Sequence, residues 1–236
     1  MRIGILGSGL MGGKLGTIFA RAGHEVVFSY ARSEQKLKRL ARDAKGKARA
    51  GTPREAAQEA DAVLLAVHWS RTQDVLNQTG DLSGKVIVTC SLPMNEDNTE
   101  LVVAHTSSGA EELAKMIRKA RVVAAFQTVP SEVLFGVYEA NPHPSLPQPR
   151  GRGGRRRNAG RPKAARPSLV YCSDDKSGKA VAAQLIRDAG FEPVDAGPLR
   201  IARYIEPFAL LVAQLAYEGH GGPELAYRFE RFGERA

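Results

Sequence analysis

Six residues near the N-terminus, Gly7-Ser8-Gly9-Leu10-Met11-Gly12, space three glycines as G-x-G-x-x-G. The chemistry of that spacing is the holding of a pyrophosphate. Gly7 permits a tight turn, Gly9 lets a phosphate approach the backbone, and Gly12 lets the following helix pack closely on the strand before it. Free N–H groups at such a turn, together with the helix dipole, favour negative charge. A second set of residues selects the dinucleotide. Where an acid would bind a ribose 2′-hydroxyl, this chain has Ser29, Tyr30, Ala31 and Arg32, with Lys36 one turn on and no acid before Glu34. A hydroxyl beside a guanidinium suits a 2′-phosphate through paired, charge-assisted bonds. The expected cofactor is therefore NADP(H) rather than NAD.

Other residues with chemical potential read more plainly. Asp174 and Asp175 suggest a turn and an N-cap ahead of a helix rather than paired catalytic acids. His24 precedes a strand and reads as a surface residue. Cys90 and Cys172 are too few for a disulfide scaffold and lack the spacing of a zinc site, so a reducing cytoplasm is the expected compartment and no metal is expected.

These groups must be positioned by an alternation of strands and helices. The opening run to Gly7 predicts a buried strand. Met11, Leu15, Ile18, Phe19 and Ala22 lie on one helical face, and Gly23 stops that helix. Strands follow at 26–28, 47–50, 62–67, 85–89, 122–126, 168–172 and 191–194. Helices are predicted over 33–44, 53–59, 110–119 and 176–189. A last helix carries Ile201, Tyr204, Ile205, Phe208, Leu211, Val212 and Leu215, with Pro207 at its start or at a kink. Its broad apolar face is consistent with plain core or with a dimer interface. The alternation argues for a doubly wound α/β sheet.

The chain has 236 residues, 43% of them hydrophobic and 25% charged, which excludes a wholly disordered protein. Its apolar runs are too short for a membrane segment, and the N-terminus reads as strand and turn rather than signal peptide. Eight of the nine net positive charges come from Arg150, Arg152, Arg155, Arg156, Arg157, Arg161, Lys163 and Arg166, in a segment over 141–167 with six prolines, four glycines and no acid. Such composition predicts a disordered surface insertion. Nucleic acid is not expected as its partner, because no aromatic residue interleaves the arginines.

The chain resembles the F420-dependent NADP oxidoreductase family in an ordered set of segments. These are the glycine turn, Gly23-His24-Glu25-Val26-Val27, Ala66-Val67-His68-Trp69, Ser91-Leu92-Pro93, residues 122–130 (VVAAFQTVP), Cys172-Ser173-Asp174-Asp175, and Asp195-Ala196-Gly197-Pro198-Leu199 followed by Arg203 and Glu206. The turn is generic to dinucleotide folds; the DAGPL segment with its following helix is more specific. The resemblance implies a Rossmann-like, mainly parallel sheet with a small C-terminal helical part, assembled as a homodimer. It implies a cofactor domain over 1–139, the basic insertion over 140–167, and a C-terminal part over 168–236 that forms the acceptor cleft and the dimer interface.

The implied reaction is hydride transfer between NADP(H) and the deazaflavin F420, with no catalytic side chain required. Ser8, Gly9, Leu10 and Met11 would hold the pyrophosphate. Val67, His68 and Trp69 would lie over the cofactor, with Ser91 among its contacts. Gln127, Thr128, Val129, Pro130 and Ser131 would lie by the nicotinamide. The deazaflavin would rest near Leu92, Pro93 and Leu199. Two departures concern the second substrate: Gln127 stands where the family often has histidine, and Arg200 where it often has a small polar residue. Arg200 would either meet an anionic tail or block it. The rivals are the same fold with a flavin, metal chelate or imine as acceptor, and an NADP(H)-sensing protein whose basic insertion contacts nucleic acid.

Overall fold

A strand buried on both faces needs an uninterrupted apolar run, and a helix laid on a sheet needs a single apolar stripe. The computed structural model, which describes residues 1–141 and 166–233, shows both patterns alternating through the chain. In order they are β1 (Arg2–Leu6), α1 (Leu10–Arg21), β2 (Glu25–Ser29), α2 (Glu34–Asp43), β3 (Ala48–Ala50), α3 (Pro53–Gln58) and β4 (Ala62–Leu65). Next come a 3-10 turn (Trp69–Arg71), α4 (Thr72–Thr79), β5 (Val86–Thr89), α5 (Gly109–Met116), β6 (Arg121–Ala125) and α6 (Val133–Ala140). The chain then forms β7 (Ser168–Cys172), α7 (Lys176–Asp188), β8 (Glu192–Asp195), a second 3-10 turn (Leu199–Ile201) and α8 (Ala202–Tyr217). Most of the basic segment lies outside the described residues.

All eight strands share one sheet, in the order β3-β2-β1-β4-β5-β6-β7-β8. The first six are parallel, and β1 at the point of reversal pairs with both β2 and β4. β7 runs antiparallel to β6, with Ala124 opposite Cys172, and β8 runs parallel to β7. Residues 168–233 therefore extend the sheet of the cofactor half rather than forming a detached lobe. Helices α1, α2, α6 and α7 pack on one face and α3, α4, α5 and α8 on the other. Phe19, Phe28, Phe126 and Phe191 are fully buried on the first face; truncating any one to alanine should cost ~3–5 kcal/mol.

Local chemistry sets the ends of the elements. α1 closes where Gly23 N–H donates to Ala20 and His24 N–H to Phe19, the paired bonds of a Schellman stop. Thr52 and Glu55 cap α3 reciprocally. Asp175 caps α7 by accepting from Gly178 N–H at 2.6 Å, and Asp174 accepts from Leu199 N–H at 3.0 Å, so both acids are structural, as their position before a helix suggests. Pro207 lies inside α8 rather than at its start.

His24 differs from expectation. It is buried rather than on the surface, with Nε2 at 2.9 Å from Asp188 and Nδ1 at 3.3 Å from the N-terminal amine. The α1–β2 turn is pressed against α7, a contact between residues distant in sequence. Among the described residues, no helix is long and apolar enough to cross a membrane.

Candidate functional site

The glycine turn leaves β1 at the C-terminal edge of the sheet, beside the reversal of strand order, where open α/β sheets bind ligands. Gly7 has φ +103°, and a Cβ there would lie 2.4 Å from the Ala66 carbonyl oxygen. At Gly12 a Cβ would lie 2.0 Å from the Gly7 carbonyl oxygen, so helix and turn approach as closely as backbone allows. Gly9 is the opposite case: a Cβ there would meet nothing within 4 Å. Its missing side chain leaves a free approach to the first turn of α1, which has neither a side-chain cap nor an acid. That is a cradle for phosphate oxygens.

The turn opens onto a cavity of about 680 Å³ whose lining includes Gly9, Leu10, Arg32, Lys36, His68 and Arg71. Arg32, Lys36 and Arg71 are exposed, and among the described residues none enters an ion pair. The contrast with the rest of α2 is informative: Lys38 pairs with Glu34, and Arg39 and Arg42 pair with Asp43. Positive charge is thus left uncompensated on the cavity side. Tyr30 forms part of the wall, with a left-handed backbone at φ +53° and its hydroxyl donating to Asp74 of α4. Burial and the Asp74 carboxylate push that phenol up to about 12.

The two serines near the turn serve the fold. Ser8 and Ser29 are both fully buried; Ser8 Oγ donates to Ser29 O at 2.8 Å and Ser29 Oγ to Ile5 O at 2.7 Å. The hydroxyl that the sequence offered to a 2′-phosphate at Ser29 is therefore turned into the sheet. Ser8 N–H likewise donates to Tyr30 O, tying the turn to the end of β2.

The loops leaving β4, β5 and β6 are stitched together at the same edge. Ser91 Oγ donates to Val67 O at 2.7 Å, and Gln127 Nε2 donates to Ser91 O at 3.0 Å. His68 Nε2 donates to Asn95 O at 3.2 Å, leaving Nδ1 to accept from Ser70 N–H at 3.3 Å. His68 lines the cavity beside Val67, whereas the half-buried Trp69 is not part of that lining.

The 127–131 segment sits on this edge too, but its side chains are buried. Thr128 is hydrogen-bonded to Tyr227 at 2.7 Å, and Lys14 Nζ donates to Ser131 O at 2.9 Å. Val129 and Pro130 are packed inside. Gln127 Oε1 is buried with no hydrogen-bond partner. The segment is preceded by Phe126 at φ +66°, a left-handed conformation costly for a bulky residue and held here by packing against Phe19.

The acceptor-side residues are not all brought together. Leu92 and Pro93 follow β5 at the cofactor edge, with Pro93 buried against Gly109. Leu199 is buried beside Val122 and Ala114, at the start of β6, and Arg200 is exposed in the same turn. Because β7 runs antiparallel to β6, the turn after β8 falls at the opposite edge of the sheet from the glycine turn. Within one chain, Leu199 and Arg200 therefore lie at a different edge from Leu92 and Pro93.

Glu206 of α8 occupies a more central place than the sequence indicates. It is 1% exposed, and its carboxylate accepts from Gly109 N–H at 2.8 Å and Ala110 N–H at 3.0 Å. Burial pushes its carboxyl up to about 7 despite those two donors, with Gln127 alongside. Arg203 clasps Glu111 through two bonds of 2.8 and 2.7 Å, holding that carboxyl below its usual range. Together the two residues dock α8 on the start of α5. Arg71, Asp74 and Lys14 escaped the sequence reading; a basic residue in the loop after a central strand, at Arg71, was the one available signal.

The fold and the turn define a dinucleotide-binding protein of the Rossmann class. Residues 2–93 match the family model described as NADP oxidoreductase, coenzyme F420-dependent. It is 26% identical to the F420-dependent NADP reductase of Methanocaldococcus jannaschii over 168 residues, 69% of this chain and 65% of that protein. It is also 26% identical to Metalloreductase STEAP3 of Rattus norvegicus over 209 residues, 89% of this chain and 36% of that one. The chain thus spans under two thirds of the length of these curated relatives. Among solved structures, one from Arthrobacter sp. FB24, provisionally described as an F420-dependent NADP reductase, superposes with a TM-score of 0.76 at 19% identity, covering 97% of this chain and 99% of that one. A reductive aminase from Aspergillus terreus in complex with NADPH and ethyl levulinate gives 0.61 at 16% identity, covering 90% of this chain and 60% of that one. These two likenesses concern the fold.

Proposed function

We propose that this chain is an NADPH-dependent oxidoreductase that passes a hydride between NADP(H) and coenzyme F420. The observation that carries the cofactor half is the cavity at the glycine turn. There an open approach at Gly9, uncapped N–H groups of α1 and the unpaired Arg32 and Lys36 converge. The residues present fit the group: amide donors for a pyrophosphate, and cations without a competing acid for a 2′-phosphate. NADPH, when bound, supplies the hydride. The chain's own task is to hold and orient. The Val67–Ser91–Gln127 bonds fix the three loops that floor the site, and His68 braces two of them. No acid or base is needed for a direct transfer between ring carbons.

The family-model match over residues 2–93 and the likeness to the Methanocaldococcus reductase support F420 as the acceptor. A second reading, the same cofactor site with a flavin, metal chelate or imine as acceptor, is favoured by the match to a metalloreductase over most of this chain. We read α8 as a self-association face, since Tyr204, Leu211 and Leu215 expose 66%, 54% and 56% of their surfaces along one stripe. A homodimer would place acceptor residues from a second copy near the cofactor edge. Two free thiols fit a reducing cytoplasm.

The test is to mix the protein with NADPH and F420 and follow the loss of F420's visible absorbance, with NADH as control. Catalytic bleaching with NADPH alone supports both halves. Tight NADPH binding without bleaching retains the cofactor site and moves the search to ferric chelates, flavins and imines. Retention on nucleic acid that falls with salt would favour the sensing alternative.

A further inference from the structure

We infer that Arg71 is a specificity residue for the cofactor's 2′-phosphate, gripping it from the β4 side while Arg32 and Lys36 grip it from the β2 side. The inference rests on the NADP(H) reading above. Arg71 lines the cavity together with Arg32 and Lys36, but it reaches there from a different wall, at the end of the Trp69–Arg71 turn. That turn is held rigidly. His68 caps it through Nδ1, and the other ring nitrogen is anchored on Asn95 O. Thr72 N–H donates back to Trp69 O, so the stem of Arg71 starts from a fixed point.

The charge of Arg71 is also kept available. The acid one helical turn away, Asp74, faces Tyr30, whose hydroxyl donates to it, and Gln78 Nε2 lies 3.3 Å from the same carboxylate oxygen. Arg71 lines the same cavity as Tyr30, and its charge acts on that phenol. A phosphate monoester with close to two negative charges is best held from two sides, and a planar guanidinium offers paired donors to its oxygens. The buried hydroxyl of Ser29 leaves a donor vacancy on the β2 side that Arg71, from the loop after β4, fills.

The test is calorimetric titration of the full chain with 2′,5′-ADP and with 5′-ADP, for wild type, Arg71→Ala, Arg71→Lys and Arg32→Ala. The expected result for Arg71→Ala is a roughly ten- to thirtyfold weaker 2′,5′-ADP complex, with 5′-ADP changed by less than about twofold. Arg71→Lys should recover part of the loss, because charge returns without the paired donors. An unchanged 2′,5′-ADP affinity in Arg71→Ala would overturn the assignment. So would equal weakening of both ligands, which would mean contact with the adenine or a structural role. If wild type itself does not prefer 2′,5′-ADP over 5′-ADP, the NADP(H) reading fails, and the role of Arg71 with it. If Arg32→Ala loses the preference and Arg71→Ala does not, only the Arg71 inference fails.

Discussion

Glu206 allows the tertiary packing to be tested by pH. Its carboxyl is 1% exposed and accepts two backbone N–H groups at the start of α5, yet burial raises it from 4.5 to about 7. The folded chain therefore holds this proton more tightly than the unfolded chain does. Stability from this group is fully present below about pH 4.5 and is lost as pH rises through about 7. At about 1.4 kcal/mol per pKa unit, the loss is roughly 3 kcal/mol. The carboxyls of Glu111 and Asp175 are held below their usual range, so they gain stability as pH rises, and do so below about pH 5. The interval from about pH 5 to about pH 8 isolates Glu206 among these three. Urea unfolding of wild type and Glu206→Gln at both ends of that interval is the assay. Wild type should lose about 2–3 kcal/mol more than the glutamine variant on going to the higher pH. Parallel changes in the two proteins would refute the argument that a desolvated, ionising Glu206 joins α8 to α5. The join bears on the acceptor side, because the Gly109 it holds packs directly on Pro93.

Four further outcomes follow from the site and its supports. Arg32→Ala should weaken NADPH about tenfold or more with NADH little changed; equal losses in the two binding constants would remove Arg32 from the 2′-phosphate. Gly9→Val should leave the melting temperature within a few degrees, because its side chain meets open space, while abolishing binding of both nicotinamide cofactors. A folded Gly9→Val protein that still binds cofactor would defeat the cradle. Tyr227→Phe removes the hydroxyl bonded to Thr128 and Val170 N–H and should cost about 1–2 kcal/mol in urea unfolding. Asp188→Ala leaves the buried His24 ring nitrogen without its carboxylate and should cost about 2–4 kcal/mol, measured in the same way.

Much of the fold was legible in residue pattern. The near-continuous apolar runs of β1, β4 and β5 and the single-faced stripe of α1 carry their periods openly, and Gly23 and Asp175 mark boundaries by their own chemistry. Helices α4 and α6 were not legible. α4 shows too few apolar positions to define a face, and α6 is apolar almost all round, so neither offers a contrast. The return of residues 227–229 to the start of β7, through Tyr227 O and Ser168 Oγ, joins positions far apart in the chain and leaves no periodic trace.

The division is sharpest at the site. By itself the sequence determined the glycine turn and the absence of an acid after β2, because those properties belong to a few consecutive residues and their backbone. Only the tertiary structure decided which polar groups remain available to a ligand. It buried the Ser8 and Ser29 hydroxyls in the sheet, brought Arg71 to the same cavity as Arg32, and carried Leu199 to the far edge by reversing β7. A side chain's chemistry is written in its type, but its availability depends on which distant donors, acceptors and charges the fold brings against it.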